Sequence, residues 1–559
     1  MITGRELIDL KKIPIGMDNF KDIIQGNYYY VDKTKMIEEI LERGSYITLF
    51  PRPRRFGKSL MISTIDEFFN CEKKQENKNT FKGLYIEKTR YKKEQGKYPV
   101  IKVNLKSLKA ENWEDMYKGI EILMQSLYSQ FYSYRQEINA VDQYKFDRIA
   151  KREADSKELE QGLLFLSKIL YEKYHEKVIL LIDEYDVPIQ EGYLHGYYPE
   201  IVSFIKNLFS NTLKTNDNIK FAIMTGVLRV SKESIFSDLN NVKVYSTMDE
   251  TYDEYFGFTE DETEKLLKHY NLELTSEVKK MYNGYIFGNK EIYNPWSIIN
   301  YASDKKLLPY WINTSGNELL QSIFDKTQNE TKEMIEELIL GKSIVCKYNE
   351  KVTFLDLDNI ESQEANDVVA NFLLVSGYLS KEKSDVLNLK GYIKVKIPNE
   401  EVRKIFVDVI EKWIGKLANV STQILYELQL AMINGEKETL EKILNDALNH
   451  MSFLDVHENF YHGYMLGLFV GFLNEGYIVK SNREAGEGRF DIVIEAVDRS
   501  LGIIVEFKVA KDSENIEERA QKGKEQIKEK QYYREMELEK VQNILTYSIA
   551  FKSKHCKVV

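Results

Sequence analysis

The 559-residue chain contains little proline, little glycine and almost no cysteine. Nine prolines and 29 glycines exclude collagen-like, proline-rich and low-complexity architectures. The three cysteines, Cys71, Cys346 and Cys556, are odd in number and far apart, so they predict neither a disulfide framework nor a zinc site. A reducing compartment is therefore the expected location.

Long apolar runs are also missing. Residues 1–16 carry charges throughout and lack the apolar stretch of a signal peptide. The most apolar segments, such as residues 178–182, have the length of a strand and fall far short of the roughly 20 residues that a membrane-spanning helix needs. We therefore expect a cytoplasmic protein that does not act at a membrane.

The composition that remains is typical of a large globular protein. Hydrophobic residues make up 43% of the sequence and charged residues 30%. At about 150 residues per domain, the length predicts roughly three to four domains. The net charge of −10 does not favour nucleic-acid binding at the level of the whole chain, although Arg52, Arg54 and Arg55 form a local basic segment.

The hydrophobic pattern divides the chain into three regions. Up to about residue 225, short apolar runs alternate with amphipathic stretches, one of which predicts a helix over residues 156–175. This alternation predicts a mostly parallel sheet covered by helices. A largely helical pattern follows, and the last region reads as a helix, two adjacent strands, a charged helix and a final strand. We therefore predict an α/β chain with domains at residues 1–265, 266–450 and 451–559.

The first predicted strand leads into a loop that ends in Gly57-Lys58-Ser59 and then into a helical pattern. This arrangement is typical of a P-loop, in which backbone N–H groups face the phosphates, Lys58 reaches the β/γ oxygens and Ser59 ligates Mg²⁺. The P-loop pattern asks for glycine at position 52, where this chain has Arg52. We predict an ATP site that includes Arg55, Gly57, Lys58 and Ser59; the alternative is a basic helix N-terminus without nucleotide.

A second segment favours the nucleotide interpretation. Five aliphatic residues end in Asp183 and Glu184, and the carboxyl ends of strands in a parallel sheet are where ligands bind. In that position Asp183 is expected to hold the Mg²⁺ shell, as a Walker B aspartate does, and Glu184 to polarise the attacking water. Thr225, at the end of the next strand, is placed to sense the γ-phosphate. On its own, this segment is also compatible with a core strand followed by an acidic turn.

Further short motifs flank these two segments. They are Ile13-Pro-Ile-Gly-Met-Asp-Asn-Phe20, Tyr30-Val-Asp-Lys-Thr34, Ser234-Ile-Phe-Ser-Asp-Leu-Asn240, Tyr282-Asn-Gly-Tyr285, Tyr293-Asn-Pro-Trp-Ser297 and Trp311-Ile-Asn-Thr-Ser-Gly316. Together with the P-loop and the acidic turn, they resemble the AAA-ATPase-like family found in many bacteria. Members typically carry arginine where the first P-loop glycine belongs, so the resemblance implies that Arg52 is a family trait.

A second set of reactive side chains lies near the C-terminus. Asp491 belongs to one predicted strand, and Glu506 and Lys508 belong to the next. Residues i and i+2 of a strand share a face, so Glu506 and Lys508 project together, and the neighbouring strand can place Asp491 beside them. Two carboxylates and a lysine can bind Mg²⁺ and position a water for attack on a phosphodiester. An exposed polar row on an amphipathic strand is the alternative.

The spacing of Asp491, Glu506 and Lys508 resembles the PD-(D/E)XK nuclease superfamily. The resemblance implies a catalytic role for Gln526, since related nucleases present a glutamine from the helix that follows. That helix is predicted over residues 516–533, which would place Tyr533 on the same face as Gln526. Glu458, at the start of a helix predicted over residues 460–473, is a candidate for a further acidic ligand.

Taken together, these motifs predict an N-terminal P-loop ATPase domain, a helical middle region and a C-terminal PD-(D/E)XK nuclease-like domain. We expect ATP binding and hydrolysis in the first and metal-dependent cleavage of nucleic acid, with DNA favoured over RNA, in the last. ATP and Mg²⁺ are the expected cofactors, with metal ligands at Ser59, Asp183, Asp491 and Glu506. Homo-oligomer formation is left open. The alternative is a nucleotide-switched module that binds nucleic acid or protein without cleavage.

Overall fold

The computed structural model describes residues 10–228, 241–311, 320, 323, 329–349, 351–358, 365–383, 391–418, 421–449, 465, 468–485, 488–511 and 513–559. Three parts of the sequence interpretation fall on residues outside these ranges: the motif at residues 234–240, most of the motif at residues 311–316, and Glu458 with much of the helix predicted over residues 460–473.

The first 311 residues contain the parallel sheet and the helices around it. In chain order the elements are α1 (Phe20–Gln25), α2 (Lys35–Arg43), β1 (Ile47–Pro51), α3 (Lys58–Phe69), β2 (Val100–Asn104), α4 (Trp113–Gln130), α5 (Ala140–Ala150), α6 (Ser156–Glu160), α7 (Gly162–Tyr174), β3 (Val178–Asp183), α8 (Val187–His195), α9 (Tyr198–Leu213), β4 (Ile219–Gly226), β5 (Val242–Val244), β6 (Phe258–Thr259), α10 (Glu260–His269), α11 (Ser276–Tyr282), β7 (Tyr285–Phe287), β8 (Lys290–Tyr293) and α12 (Pro295–Asp304).

The remainder begins with a mainly helical region and ends with a second large sheet. Its elements are α13 (Asn329–Ile339), β9 (Ile344–Lys347), α14 (Phe354–Asp358), α15 (Ala365–Ser376), β10 (Ser380–Lys381), β11 (Tyr392–Lys396), α16 (Glu400–Ala418), α17 (Thr422–Asn434), α18 (Lys437–Asn449), β12 (Tyr477–Ala485), β13 (Gly488–Ala496), β14 (Gly502–Val509), α19 (Ile516–Glu529), α20 (Arg534–Leu538), β15 (Ile544–Lys552) and β16 (His555–Val558).

The chain forms two compact units. One consists of Met1–Tyr310, Cys346–Asn359 and Asp367–Asn399, and the other of Trp311–Val345, Ile360–Asn366 and Glu400–Val559. The domain boundaries that the sequence predicts near residues 265 and 450 stay predictions. Among the described residues, no helix is both long enough and apolar enough to cross a membrane.

The sheet of the first unit has the strand order β2–β3–β4–β1–β5, and its pairings are parallel. β1 and β3 are buried along their whole length, as expected for inner strands covered by helices on both faces. β4 lies between them and pairs with both, through Ile47 with Ala222 and Leu180 with Ala222. The mostly parallel sheet expected from the sequence is therefore confirmed.

One helix that the sequence predicts is two helices in the structure. The segment predicted over residues 156–175 is divided at Gln161, whose N–H donates to Glu158 O and Leu159 O and ends α6. α7 begins at Gly162, where a Cβ atom would overlap Met124 Cε of α4. The tight turn thus places a glycine where α7 approaches α4 closely. The spacing of hydrophobic residues in the sequence does not reveal this break between two helices.

The sheet of the second unit has the order β12–β13–β14–β15–β16. β13 and β14 are antiparallel, as expected of the two adjacent predicted strands, whereas β14 and β15 are parallel. α19 covers one face through an apolar cluster that includes Val493, Ile504 and Ile527. This mixed sheet with its covering helix, together with the parallel sheet and the helical middle region, confirms the predicted fold class.

The outer edge of this sheet, at β16, is covered by side chains of α18. Asn445 pairs with the backbone of Cys556, accepting its N–H at 2.8 Å and donating to its carbonyl oxygen at 3.1 Å. One turn earlier, Glu441 accepts the N–H of Val558 at 2.9 Å. Two side chains thus occupy the positions that the backbone of a further strand would take.

Candidate functional site

The loop between β1 and α3 has the backbone of a P-loop without its full set of glycines. Gly57 caps α3 with φ at +83°, in the left-handed region that glycine enters at little cost. Arg55 has φ at +69°, although it carries a side chain. Lys58 and the half-buried Ser59 form the first turn of α3. The structure therefore brings the four predicted loop residues to one helix N-terminus.

Lys58 is buried and folds back over the loop that precedes it. Its Nζ donates to the carbonyl oxygens of Arg52 and Pro53 at 3.0 and 2.9 Å. Burial lowers the pKa of Lys58, and the carboxylate of Glu184 is the strongest influence in the opposite direction. The loop carbonyls hold the ammonium group near the acidic end of β3. The oxygens of a bound anion would replace these carbonyl oxygens as acceptors for the ammonium group.

The carboxyl ends of three strands meet at Asp183. Thr225, at the end of β4, donates from Oγ1 to Asp183 Oδ1 at 2.5 Å. Asn104, the last residue of β2, donates from Nδ2 to Asp183 Oδ2 at 3.1 Å. The sequence interpretation proposed Asp183 and Thr225, which lie together, and it missed Asn104. An asparagine at the end of a short strand gives no sequence signal of a site by itself. Asn104 reaches Asp183 because β2 and β3 are neighbours in the sheet.

Glu184 follows β3 directly and also has a left-handed backbone, with φ at +53°. Burial raises the pKa of its carboxyl group, and Lys58 opposes this shift. Non-glycine residues in this backbone region persist only where the surroundings enforce them, and they concentrate at functional sites. Arg55 and Glu184 are two such residues that flank the same group of strand ends.

The turn after Glu184 is tied to the end of β4. Asp186 Oδ2 accepts the N–H groups of Val227 and Leu228 at 2.8 and 2.9 Å, and the Tyr185 hydroxyl donates to Leu228 O at 2.5 Å. Burial raises the pKa of Asp186. The sequence interpretation assigned no role to these two residues, which fix the relative positions of the β3 and β4 ends.

Arg52, which replaces the first P-loop glycine, has a structural role. Its side chain is fully buried and donates to the carbonyl oxygens of Tyr245 and Tyr252 at 2.6 and 3.3 Å. The guanidinium carbon lies 5.0 Å from the centre of the Phe256 ring. Burial lowers the pKa of Arg52 to about 9. The arginine thus attaches the loop to the segment after β5, a role that glycine could not perform.

The C-terminal cluster is built on β13 and β14. The pairing of Ile492 with Val505 places Asp491 next to Glu506 on adjoining strands, and Asp491 Oδ2 accepts the N–H of Phe507 at 2.6 Å. Lys508 Nζ donates to Glu506 Oε1 at 2.5 Å. Glu506 is almost fully buried, with 2% of its surface exposed. The three residues that the strand spacing singled out therefore lie on one face of the sheet.

Gln526 joins this cluster from α19. Its Nε2 donates to Glu506 Oε1 at 2.6 Å and to the hydroxyl oxygen of Tyr532 at 2.9 Å. The prediction that Tyr533 shares a helical face with Gln526 is wrong, because α19 ends at Glu529 and the chain then turns. Tyr532 enters the cluster instead, and burial raises its pKa.

Gly523 determines how closely α19 approaches the sheet. A Cβ atom at this position would overlap Ser548 Oγ of β15 and lie 3.2 Å from Lys508 Cγ. Gln526 lies one turn further along the same helix. The close approach at Gly523 thus lets the Gln526 amide reach Glu506.

Gly523→Ala is expected to push α19 away from the sheet. We expect the free energy of unfolding to fall by about 1–3 kcal/mol, the usual cost of an overpacked contact. Denaturant unfolding measures this change. The double variant Gly523→Ala/Ser548→Gly removes the overlapping atom and should recover much of the loss, and equal instability of the single and double variants would contradict the packing argument.

The donor atoms of the C-terminal cluster suit a hard divalent cation. Mg²⁺ is commonly held by one or two carboxylates, with waters and substrate phosphate completing its shell, and Asp491 and Glu506 supply two. Within the described ranges, no group of three or more His, Cys, Asp or Glu residues that could hold a metal ion is found. The oxygen donors of Asp491 and Glu506 thus fit Mg²⁺. Ser59 and Asp183 offer oxygen atoms of the same kind in the first unit.

Comparisons with known proteins match two parts of the chain to protein families. Residues 14–236 match the family model described as "Predicted AAA-ATPase", and residues 456–559 match the model of the PD-(D/E)XK nuclease superfamily. The chain therefore carries an AAA-ATPase-like domain followed by a PD-(D/E)XK nuclease superfamily domain, which confirms both resemblances. It is also 26% identical over 492 residues, 87% of each chain, to a protein of Azotobacter chroococcum mcd 1 described as "Uncharacterized protein in vnfD 5'region". The roles assigned to individual site residues stay predictions.

Proposed function

We propose that the protein binds and hydrolyses ATP in its first unit and cleaves nucleic acid phosphodiesters in its C-terminal domain. The observation that carries the proposal is the cluster in which Glu506 accepts hydrogen bonds from Lys508 and Gln526 beside Asp491. A buried carboxylate with a second carboxylate, a lysine and an amide at one point suits phosphodiester chemistry better than a solvated strand face.

In the ATPase part, each residue has a role that its position supports. Lys58 binds the β- and γ-phosphates once it leaves the loop carbonyls, and the loop N–H groups bind the same phosphates. Ser59 and Asp183 would hold Mg²⁺, which would offset the negative charge of the phosphates. Glu184 orients the attacking water, and Thr225 keeps the Asp183 carboxylate in one orientation through its 2.5 Å hydrogen bond.

In the nuclease part, Asp491 and Glu506 hold Mg²⁺, which supplies Lewis-acid chemistry to the scissile phosphate when bound. Lys508 orients the attacking water and offsets charge on the phosphate from its place beside Glu506. Gln526 fixes Glu506, and Tyr532 fixes Gln526 in turn. The residues thus position one carboxylate through a chain of hydrogen bonds, which is the arrangement that metal-dependent hydrolysis requires.

The test is cleavage by the purified full-length protein. Single- and double-stranded DNA and RNA are incubated with Mg²⁺ or Mn²⁺, with and without ATP, and products are separated by denaturing electrophoresis. We expect cleavage, with DNA preferred, that stops when EDTA removes the divalent ion. Binding of nucleic acid without cleavage of any substrate would favour the alternative, a nucleotide-switched binding module. Cleavage that persists in EDTA would contradict the metal-dependent mechanism.

A further inference from the structure

The loop residue Arg55 contacts a side chain far from the P-loop in sequence. Its guanidinium carbon lies 4.2 Å from the centre of the Trp296 ring. Trp296 belongs to α12 and follows the end of the region that matches the ATPase family model, at residue 236. The nucleotide site as described so far includes no residue from this part of the first unit.

Trp296 is held in place independently of Arg55. Its backbone N–H donates to Asn294 Oδ1 at 2.9 Å, and its indole Nε1 donates to Tyr310 O at 3.1 Å. The first bond fixes the backbone at the start of α12, and the second occupies the polar edge of the indole, whose face lies against the Arg55 guanidinium. An arginine that stacks on an aromatic face keeps the N–H groups at its edge directed outward, in the plane of the fork.

The charge of an acidic residue also acts on Arg55. Glu184 is the carboxylate that acts most strongly on the Arg55 guanidinium, raising its pKa against the lowering effect of burial. Glu184 acts in the same direction on Lys58. Glu184 therefore acts on both Arg55 and Lys58, and a phosphate chain bound by Lys58 beside Glu184 would lie within the field of both cations. The left-handed backbone of Arg55, with φ at +69°, indicates that the loop enforces the backbone conformation of this residue.

We propose that Arg55 binds the γ-phosphate of ATP and that Trp296 is the positioning residue that holds Arg55 there. The proposal rests on the proposed ATPase function and adds to it the means by which a triphosphate is distinguished from a diphosphate. The planar guanidinium binds phosphate oxygens through its edge while its face rests on the indole. α12 thus forms part of the nucleotide site.

Calorimetric titration tests the proposal with three ligands: ATP, ADP and inorganic tripolyphosphate. Arg55→Ala is expected to weaken ATP binding about tenfold, since it removes charge-assisted hydrogen bonds, and to change ADP binding much less. Trp296→Ala should give a similar loss of the ATP preference, and Trp296→Phe, which keeps a ring with a weaker cation–π contact, a smaller one. The double variant Arg55→Ala/Trp296→Ala should be no worse than Arg55→Ala alone.

Matched variants separate this role from general effects. Arg90 stacks on Tyr91 elsewhere in the first unit, with 4.9 Å between the guanidinium carbon and the ring centre, and Arg90→Ala should leave binding of all three ligands unchanged. Although Trp296 covers part of the Arg55 guanidinium, the residue as a whole is exposed, so its removal leaves no enclosed gap and Arg55→Ala tests the site even if Trp296→Ala fails to fold.

Three results would overturn the proposal while the ATPase function stands. The first is an ATP-to-ADP affinity ratio that is unchanged in Arg55→Ala, and the second is additive losses of ATP affinity in the double variant. The third is a Trp296→Ala variant that binds tripolyphosphate normally but ATP and ADP weakly, which would mean that the indole contacts the base. Failure of the parent protein to bind ATP would overturn the proposed ATPase function as well. Nucleotide binding by the parent that is lost in Lys58→Ala distinguishes the two cases.

Discussion

Glu506→Gln should lower the rate of metal-dependent cleavage by about a thousandfold or more. The substitution keeps the size of the side chain but removes the negative charge that we propose holds the divalent ion, on which both water activation and phosphate polarisation would depend. Asp491→Asn should have an effect of the same order. Nucleic-acid binding should change little, because it rests on diffuse contacts to backbone phosphates. Cleavage rates under single-turnover conditions and binding by fluorescence anisotropy measure the two effects separately.

Glu495 provides the matched control for this prediction. It is another buried carboxylate of β13, and it pairs with Lys480 at 3.1 Å rather than with the proposed site. Glu495→Gln makes the same chemical change on the same sheet, so it reports the effect of losing a buried charge on folding. Cleavage should remain within a few-fold of the parent in Glu495→Gln. Equal losses in Glu495→Gln and Glu506→Gln would mean that both act through stability alone.

Lys58→Ala should weaken ATP binding by about 100-fold or more, because it removes the ammonium group that we propose contacts the β- and γ-phosphates. Glu184→Gln should leave ATP affinity within a few-fold of the parent and lower hydrolysis by about 100-fold, since the proposed role of this carboxylate is to orient the attacking water. Calorimetry and phosphate release measure the two quantities. Binding and hydrolysis that fall together in Glu184→Gln would contradict the assigned role.

Lys102 is the control for the lysine substitution. Its Nζ lies 2.9 Å from Asp66 Oδ2, next to α3 but away from the loop, and Lys73 also pairs with Asp66 at 2.8 Å. Lys102→Ala therefore removes a lysine beside the same helix without leaving a buried carboxylate unpaired. ATP affinity close to that of the parent is the expected result. If Lys102→Ala weakened ATP binding as much as Lys58→Ala, the loss of affinity would be due to the loss of positive charge near α3 in general and not to the loss of a phosphate contact.

Much of the fold follows from local pattern. The aliphatic run that forms β3 needs burial on both faces, and the neighbouring amphipathic stretches supply the helices that cover it, so a parallel sheet could be predicted. The two-residue period of side chains along a strand was enough to predict that Glu506 and Lys508 lie on the same face of the sheet. The positions of Asp183 and Thr225 at the same sheet edge followed from the rule that parallel strands end together.

The missed residues depend on contacts that no local pattern contains. Arg52 interacts with Tyr245 and Tyr252, nearly 200 positions along the chain, so its burial could not be read from the loop sequence. Tyr532 enters the nuclease cluster because α19 ends one turn earlier than its polar periodicity suggests. Asn104 reaches Asp183 only because β2 is the neighbour of β3 in the sheet.

The covered edge at β16 has a consequence for how the protein behaves at high concentration. An open edge strand is a template for intermolecular β-sheet growth, and hence for aggregation or the addition of a foreign strand. Glu441 and Asn445 already satisfy the outward N–H groups of Val558 and Cys556. Self-association through this edge would first require α18 to detach, so the side chains of one helix act as a barrier against polymerisation of the nuclease-like domain.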